Sequence, residues 1–213
     1  GRPVTLTGQV GKIHPNLRIG ADVAGARPLR ANAGISSPGV KLHGAGFIVT
    51  PAEARALGLG TVPGLEAHIR DYRNGRDLTA TPRGVMVIDL YPLRQSEVLA
   101  RFPAVYQHVS DTVRPEREAN REPFRRDNWH WFGRTHETYR AFTKDLDRFI
   151  VTAETSKHRT FQFLPGDMRA DNMLIAIGLD DASALSVLSS RIHVVWALAA
   201  GGRLGYGNDP RYN

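Results

Sequence analysis

Phe149-Ile-Val-Thr-Ala-Glu-Thr-Ser-Lys-His-Arg-Thr-Phe-Gln-Phe-Leu-Pro165 reads as a bent β-ribbon. A β-branched apolar run enters a polar tip, Ser156-Lys157-His158-Arg159, and a run alternating apolar and polar residues leaves it. Two short strands joined by a donor-rich tip give that pattern. Lys, His and Arg side by side on an exposed turn can reach phosphates and base edges. A solvated hairpin tip has the same composition, because loop tips are polar wherever they occur.

Outward from the ribbon, strands are expected at residues 44–50, 84–91 and 173–178. Thr50 caps a helix, with Pro51 at its first position and Glu53 closing a capping box, that ends near Gly58. A second short helix is expected at residues 65–72, stopped by a turn at Asn74-Gly75. Ser96 opens a helical region that runs, with a break at Pro103, to about Asn120. Residues 135–146 form a further amphipathic helix. The last and strongest helix covers 182–200, with Leu185, Leu188, Ile192, Val195 and Ala199 at helical spacing. Arg191 and His193 are expected to be satisfied locally within that mostly buried helix. The first 43 residues, rich in Gly, Pro and Asn, read as short strands and loops. Strands and helices mix without strict alternation, so the fold class is α+β: a mixed, largely antiparallel twisted sheet with flanking helices, in one domain over 1–213.

The 213 residues, 41% of them hydrophobic, suffice for a substantial core. Net charge is +7 and the pI about 10.1, which favours a polyanionic partner, most simply nucleic acid. The cations are 24 Arg and 4 Lys; Arg suits bidentate recognition of phosphate and guanine, although a GC-rich genome raises Arg and Ala together. Cysteine is absent, which excludes disulfides and thiolate metal sites and allows a reducing, cytoplasmic compartment. No apolar run approaches the roughly 20 residues of a membrane span, so no membrane partner is expected. The start at Gly1-Arg2-Pro3 lacks Met, as a piece of a longer protein would.

Missing motifs constrain the chemistry. There is no Gly-x4-Gly-Lys-Ser/Thr phosphate loop, Gly44-Ala-Gly46 does not extend to a dinucleotide fingerprint, and no Gly-x-Ser-x-Gly elbow occurs. The eight His residues have no His-x3-His pairing, and no Lys has a carboxylate two positions before it. Asp180-Asp181 opens a helix, where carboxylates act as caps. The chain is expected to be non-catalytic alone and to hold no cofactor or metal.

Two further groups are basic. Arg114, Arg117, Arg121 and Arg125, spaced three, four and four apart, form one stripe if the backbone is helical through Pro123. Such a stripe would contact phosphates, although Glu118 and Glu122 offer local ion pairs that would use the charge. Arg76, in Asn74-Gly-Arg-Asp77, could also approach phosphate from a turn. Trp129 and Trp131, flanking His130, read as packing residues.

In order, the chain carries Asn74-Gly-Arg-Asp-Leu78, Val87-Ile-Asp89, Phe102-Pro-Ala-Val-Tyr106, Arg114-Pro-Glu-Arg117, Asn128-Trp-His-Trp131, Thr155-Ser-Lys-His-Arg159, Ser189-Ser-Arg-Ile-His193 and Ala199-Ala-Gly-Gly-Arg-Leu204. This ordered set resembles the target-recognition domain of class I SAM-dependent DNA adenine-N6 methyltransferases, including bifunctional type II restriction–modification enzymes. The resemblance is firmest from about Leu29 to Asn213. It implies a double-stranded DNA specificity module that works beside a methylase domain of the same parent chain, where SAM binds. It also implies that Ser156, Lys157, His158 and Arg159 read bases. The methylase Asn/Asp-Pro-Pro-aromatic motif is not matched: Asn208-Asp-Pro-Arg211 has one Pro and no aromatic.

Two other classes stay open. An RNA or single-strand binding module would need clustered surface aromatics, and aromatics are 8% of residues. A free-standing metal-dependent nuclease would need carboxylates such as Asp77, Asp89 and Glu97 to converge.

Overall fold

The computed structural model describes residues 3–8, 10–13, 19, 26–204 and 209–212. Parts of the expected strands and loops in the first 43 residues, and Asn208, lie outside the described residues. After a 3₁₀ turn at Arg30–Asn32 comes a short strand, β1 (Ser36–Pro38). The strand expected at 44–50 shrinks to β2 (Ile48–Val49), because Ala45–Phe47 coil into a 3₁₀ turn that buries Phe47. Helix α1 (Pro51–Ala56) forms as its caps dictate: Thr50 Oγ1 accepts from Glu53 N, and Glu53 accepts from Thr50 N at 2.7 Å.

The helix expected at 65–72 does not form. A 3₁₀ turn at Leu65–Ala67 gives way to β3 (Ile69–Arg73), and Asn74-Gly75, expected to be a terminating turn, instead starts α2 (Gly75–Thr79). Pairing overrides propensity here. Ile69, Arg70 and Asp71 pair antiparallel with Ile88, Val87 and Met86 of β4 (Met86–Ile88), and Tyr72 and Arg73 then pair in parallel with Arg169 and Ala170.

The helical middle of the chain comprises α3 (Gln95–Arg101), α4 (Pro103–Thr112), α5 (Arg114–Glu118), α6 (Pro123–Asp127) and α7 (Glu137–Thr143). Prolines 103, 115 and 123 each sit in the first turn of a new helix, the place where a missing N–H costs least. The ribbon follows as β5 (Arg148–Ala153) and β6 (Gln162–Pro165), then β7 (Arg169–Ala170) and β8 (Leu174–Ile177). The expected helix at 182–200 is two helices, α8 (Ala182–Ser189) and α9 (Arg191–Ala200), and neither carries a fully buried residue. Ser190, with extended backbone, makes the break: its Oγ accepts from His193 N at 3.2 Å and so caps α9. Short strands β9 (Arg203–Leu204) and β10 (Asp209–Pro210) pair antiparallel.

Two four-stranded sheets result, ordered β1-β8-β5-β6 and β2-β4-β3-β7. All pairs are antiparallel except β3 with β7. The expected α+β class, with mixed and largely antiparallel sheets flanked by helices, is what forms. One hydrophobic cluster joins Phe149, Val151 and Leu174 of the first sheet with Ile69, Val87 and Ala170 of the second and with Val98, Val105 and Val109 of the helices. Within it Asp89, 2% exposed, accepts two bonds from Arg140 (2.7 and 2.8 Å) and one from Arg169 Nε (2.9 Å). Desolvation opposes ionisation of Asp89, but the two guanidiniums outweigh it and hold its pKa below the usual carboxylate range.

Candidate nucleic-acid interface

The ribbon tip is built by its own backbone and by the chain's C-terminal strand. Ser156 Oγ donates to His158 O (2.8 Å), which tightens the turn, and Ser156 N donates to Pro210 O (3.2 Å). Tyr212 N donates to Glu154 O (2.7 Å), and Arg211 binds the Glu154 carboxylate at 2.7–2.8 Å. With the tip clamped on both sides, Lys157 and His158 stand exposed, and neither side chain has a partner among the described residues.

Arg159 points the other way, which corrects its expected role in base reading. Its Nη1 donates to Thr152 Oγ1 (3.1 Å) and Ala153 O, its Nη2 donates to Pro210 O (3.1 Å), and its guanidinium lies 5.1 Å from the Tyr212 ring centre. The side chain is buried, and that burial pushes its pKa below the ordinary Arg value. A guanidinium committed to two strands and a ring is a strut. In the sequence it is one more cation in a polar tip, and the partners that reveal its direction lie up to 51 positions away.

Arg76 comes to the same place from the other sheet. Asn74 caps α2, its Oδ1 accepting from Arg76 N (3.0 Å) and Asp77 N (3.1 Å), while Asp77 Oδ2 accepts from Asn74 N (2.9 Å). Asp77 is held in turn by Arg83, through Nε, Nη2 and the backbone N–H at 2.8–3.2 Å. Desolvation works against the charged form, but bonds from Arg83 and Asn74 keep Asp77 well below the usual carboxylate range. Arg76 itself is exposed, and its guanidinium has no partner among the described residues.

Arg76 and Ser156 line one open cleft of about 430 Å³, together with Asn74, Thr79, Thr155, Asp171 and Met173. Asp171 accepts from Tyr72 Oη and, through its other oxygen, from Met173 N (2.9 Å). Burial and the neighbouring Asp171 raise the Tyr72 pKa far above its ordinary value, so Tyr72 stays a proton donor. The cleft therefore pairs one loose guanidinium with hydroxyl and carboxylate groups, beside a tip carrying Lys157 and His158. Neither the cleft nor the part of Glu154, Arg211 and Tyr212 in clamping the tip has a local signature, because both arise from long-range pairing.

The basic stripe at 114–125 does not assemble. The helix stops after Glu118 and restarts at Pro123. Arg114 pairs with Glu118 (2.7 Å) and lies over Trp129, and Arg125 pairs with Glu122 (2.9 Å). Arg117 turns inward: it is 1% exposed, and its Nη2 donates to Leu42 O (2.7 Å). Arg121 alone of the four is exposed with no partner among the described residues. Trp129 and Trp131 are packing residues as expected: Trp129 is buried against Tyr106, and Trp131 Nε1 donates to Leu93 O (2.8 Å).

The carboxylates a metal nuclease would need are employed elsewhere. Asp77 and Asp89 bind arginines, Glu97 accepts from Arg94 N (2.7 Å), and among the described residues no group of three His, Asp or Glu side chains could hold a metal ion.

A sequence profile of the family described as "MmeI, target recognition domain" matches residues 28–213. The chain belongs to that family. Its fold is also that of a solved chain described as the type IIL restriction-modification enzyme MmeI in complex with DNA: TM-score 0.72 at 19% identity, over 100% of this chain. The matched region is 28% of the MmeI chain. No curated protein matches. The ordered motifs from Asn74 to Leu204 all fall inside the matched MmeI target-recognition region.

Proposed function

We propose that this chain is the sequence-reading module of a longer DNA adenine-N6 methyltransferase of restriction–modification type, binding double-stranded DNA and non-catalytic on its own. The carrying observation is the meeting of Arg76, from one sheet, with Ser156, from the ribbon of the other, around one open cleft, next in sequence to the exposed Lys157 and His158. Membership of the MmeI target-recognition family, and the description of the solved MmeI chain as a DNA complex, point the same way.

A clamped ribbon tip of this size suits the major groove, where base edges carry the fullest donor and acceptor code. Lys157 and His158 would donate to guanine O6 and N7, and Ser156 would donate or accept. Arg76 and Arg121 would hold phosphates, adding affinity and salt dependence without reading sequence. The parent enzyme would flip the target adenine into a methylase pocket elsewhere in the chain, and the grip of this module would set which adenine arrives there.

SAM would supply the methyl group in that other domain; the residues here do not fit it. Gly44-Ala-Gly46, the nearest approach to a glycine loop, is filled by α4: a Cβ on Gly46 would run into Thr112, and Gly46 O already accepts from His108 Nε2 (3.1 Å). A cytoplasmic location fits this role.

The test is a competition between duplex DNA, single strands and RNA for the purified chain, followed by selection from a random duplex pool. Duplex preference and an enriched motif are expected. Tighter binding to single strands or RNA would put the rival binding reading first. Cleavage of DNA with Mg²⁺ would restore the nuclease reading.

A further inference from the structure

Helices α8 and α9 contain one charged residue, Arg191, in 18 helical positions, yet neither carries a fully buried residue. On α9 the inner face, His193 and Ala197 among it, lies towards Tyr212 and Phe161: His193 Nδ1 meets Leu188 O at 2.7 Å, and its ring stacks near Phe161 and Tyr212. The outer face is an apolar stripe at helical spacing. Ile192 is 85% exposed and Val195 58%, Val187 of α8 adds 64%, and Trp196, 47% exposed, stands at the edge of the stripe, where it also lines a cavity with Tyr212. A helix apolar on all sides is normally covered on all sides.

We propose that this stripe is the docking face for another domain of the same longer polypeptide. The inference rests on the functional reading above. Three observations select that occupant. The solved MmeI chain is more than three times as long as the region this chain matches, so most of that polypeptide lies beyond it. The stripe carries no Lys or Arg beyond Arg191, in a protein of net charge +7, so it is the wrong surface for phosphate. Each helix is also too short for a bilayer: α9 is about 15 Å long against roughly 30 Å of hydrocarbon, and the pair bends by 59° at Ser190. A partner domain offering Leu, Ile or aromatic side chains matches the stripe.

The test compares amide exchange over residues 182–200 in the 213-residue chain and in the full polypeptide of the same gene. Protection should rise roughly tenfold or more in the full polypeptide, since covered helices open less often. The variant Ile192→Glu with Val195→Glu should leave the melting of the 213-residue chain unchanged, because both positions face solvent, and should abolish the extra protection. Equal exchange in both forms would overturn the proposal. So would protection that appears in the 213-residue chain as its concentration rises, which would name a second copy as the occupant. Co-sedimentation with phosphatidylcholine–phosphatidylglycerol vesicles, lost in the double variant, would overturn it in favour of a membrane. Motif selection by the 213-residue chain, run in parallel, separates the two ideas. Selective duplex binding with α8 and α9 uncovered in the full polypeptide sinks the docking face alone. Covered α8 and α9 without duplex binding sink the functional reading alone.

Discussion

Arg159 Nη2 donates to the carbonyl of Pro210 across 51 residues of sequence, so the ribbon tip and the C-terminal strand are one structural piece. Arg159→Ala should therefore act on stability before it acts on specificity. Loss of three hydrogen bonds, one to the buried Thr152 and two to half-buried carbonyls, should cost about 2–4 kcal/mol and lower Tm by roughly 5–12 °C. Arg159→Lys should not rescue, since one ammonium cannot replace a fork spanning two strands. Thermal melting checks both, and an unchanged Tm in Arg159→Ala would return Arg159 to the solvent-facing tip.

Lys157→Ala and Arg76→Ala make the opposite case. Neither side chain has a protein partner among the described residues, so stability should move by less than about 0.5 kcal/mol. Arg76→Ala should weaken binding to all duplexes alike and reduce the slope of log K against log salt by about 1. Lys157→Ala should relax one position of the selected motif at a cost of roughly 1–3 kcal/mol. Binding titrations at several salt concentrations separate the two.

Arg117 is a buried cation with no carboxylate in contact among the described residues. Only Nη2 is bonded, Nε and Nη1 have no partner, and burial depresses its pKa. Its acceptors are Leu42 O, which also accepts from Gly133 N (3.1 Å) and would keep that bond, and, at a longer 3.4 Å, Trp131 O. Arg117→Met should consequently be neutral or stabilising by about 1 kcal/mol, with duplex affinity and salt slope unchanged. A fall in salt slope would place Arg117 at phosphate after all.

His136 gives the fold a pH dependence. Burial, then the nearby Arg140, lower its pKa to about 4, and its Nε2 accepts from Lys41 N at 2.8 Å, which needs the neutral ring. The unfolded chain, near pKa 6.5, binds a proton before the folded one does. Stability from this residue is complete above pH 6.5 and is lost as pH falls towards 4. For a half-buried ring, screening leaves about 1–2 kcal/mol of that effect. His136→Asn, tolerated at φ +55°, should shrink the stability difference between pH 8 and pH 5 in urea titrations. His43, His68 and His130, also depressed chiefly by burial, should leave a residual slope.

What could be read from the sequence was whatever neighbours in sequence decide. Thr50-Pro-Ala-Glu53 specifies α1 because all its caps are local, and the β5–β6 ribbon announces itself through its own alternation. Residues 65–72 mislead because Ile69 and Tyr72 are buried three apart, as on a helix, when a strand changes partners between them. Residues 182–200 mislead in another way: the apolar spacing gives helical structure but runs straight through the break at Ser190, and it carries no information on whether anything covers the two helices. At the site, Lys157 and His158 were visible as an exposed tip. The inward turn of Arg159 and Arg117 was not, because charge type does not fix direction when the acceptors are distant carbonyls.

Strand β7 leaves the first sheet between β6 and β8, joins β3 in the second, and the chain then returns. No single cut in the sequence separates the two sheets, so half of this domain cannot be transplanted into a relative. On the proposed reading, exchange of specificity would be confined to loop tips, and at the ribbon the replaceable window would be Ser156 to His158, since Glu154, Thr155 and Arg159 on either side are tied to the C-terminal segment.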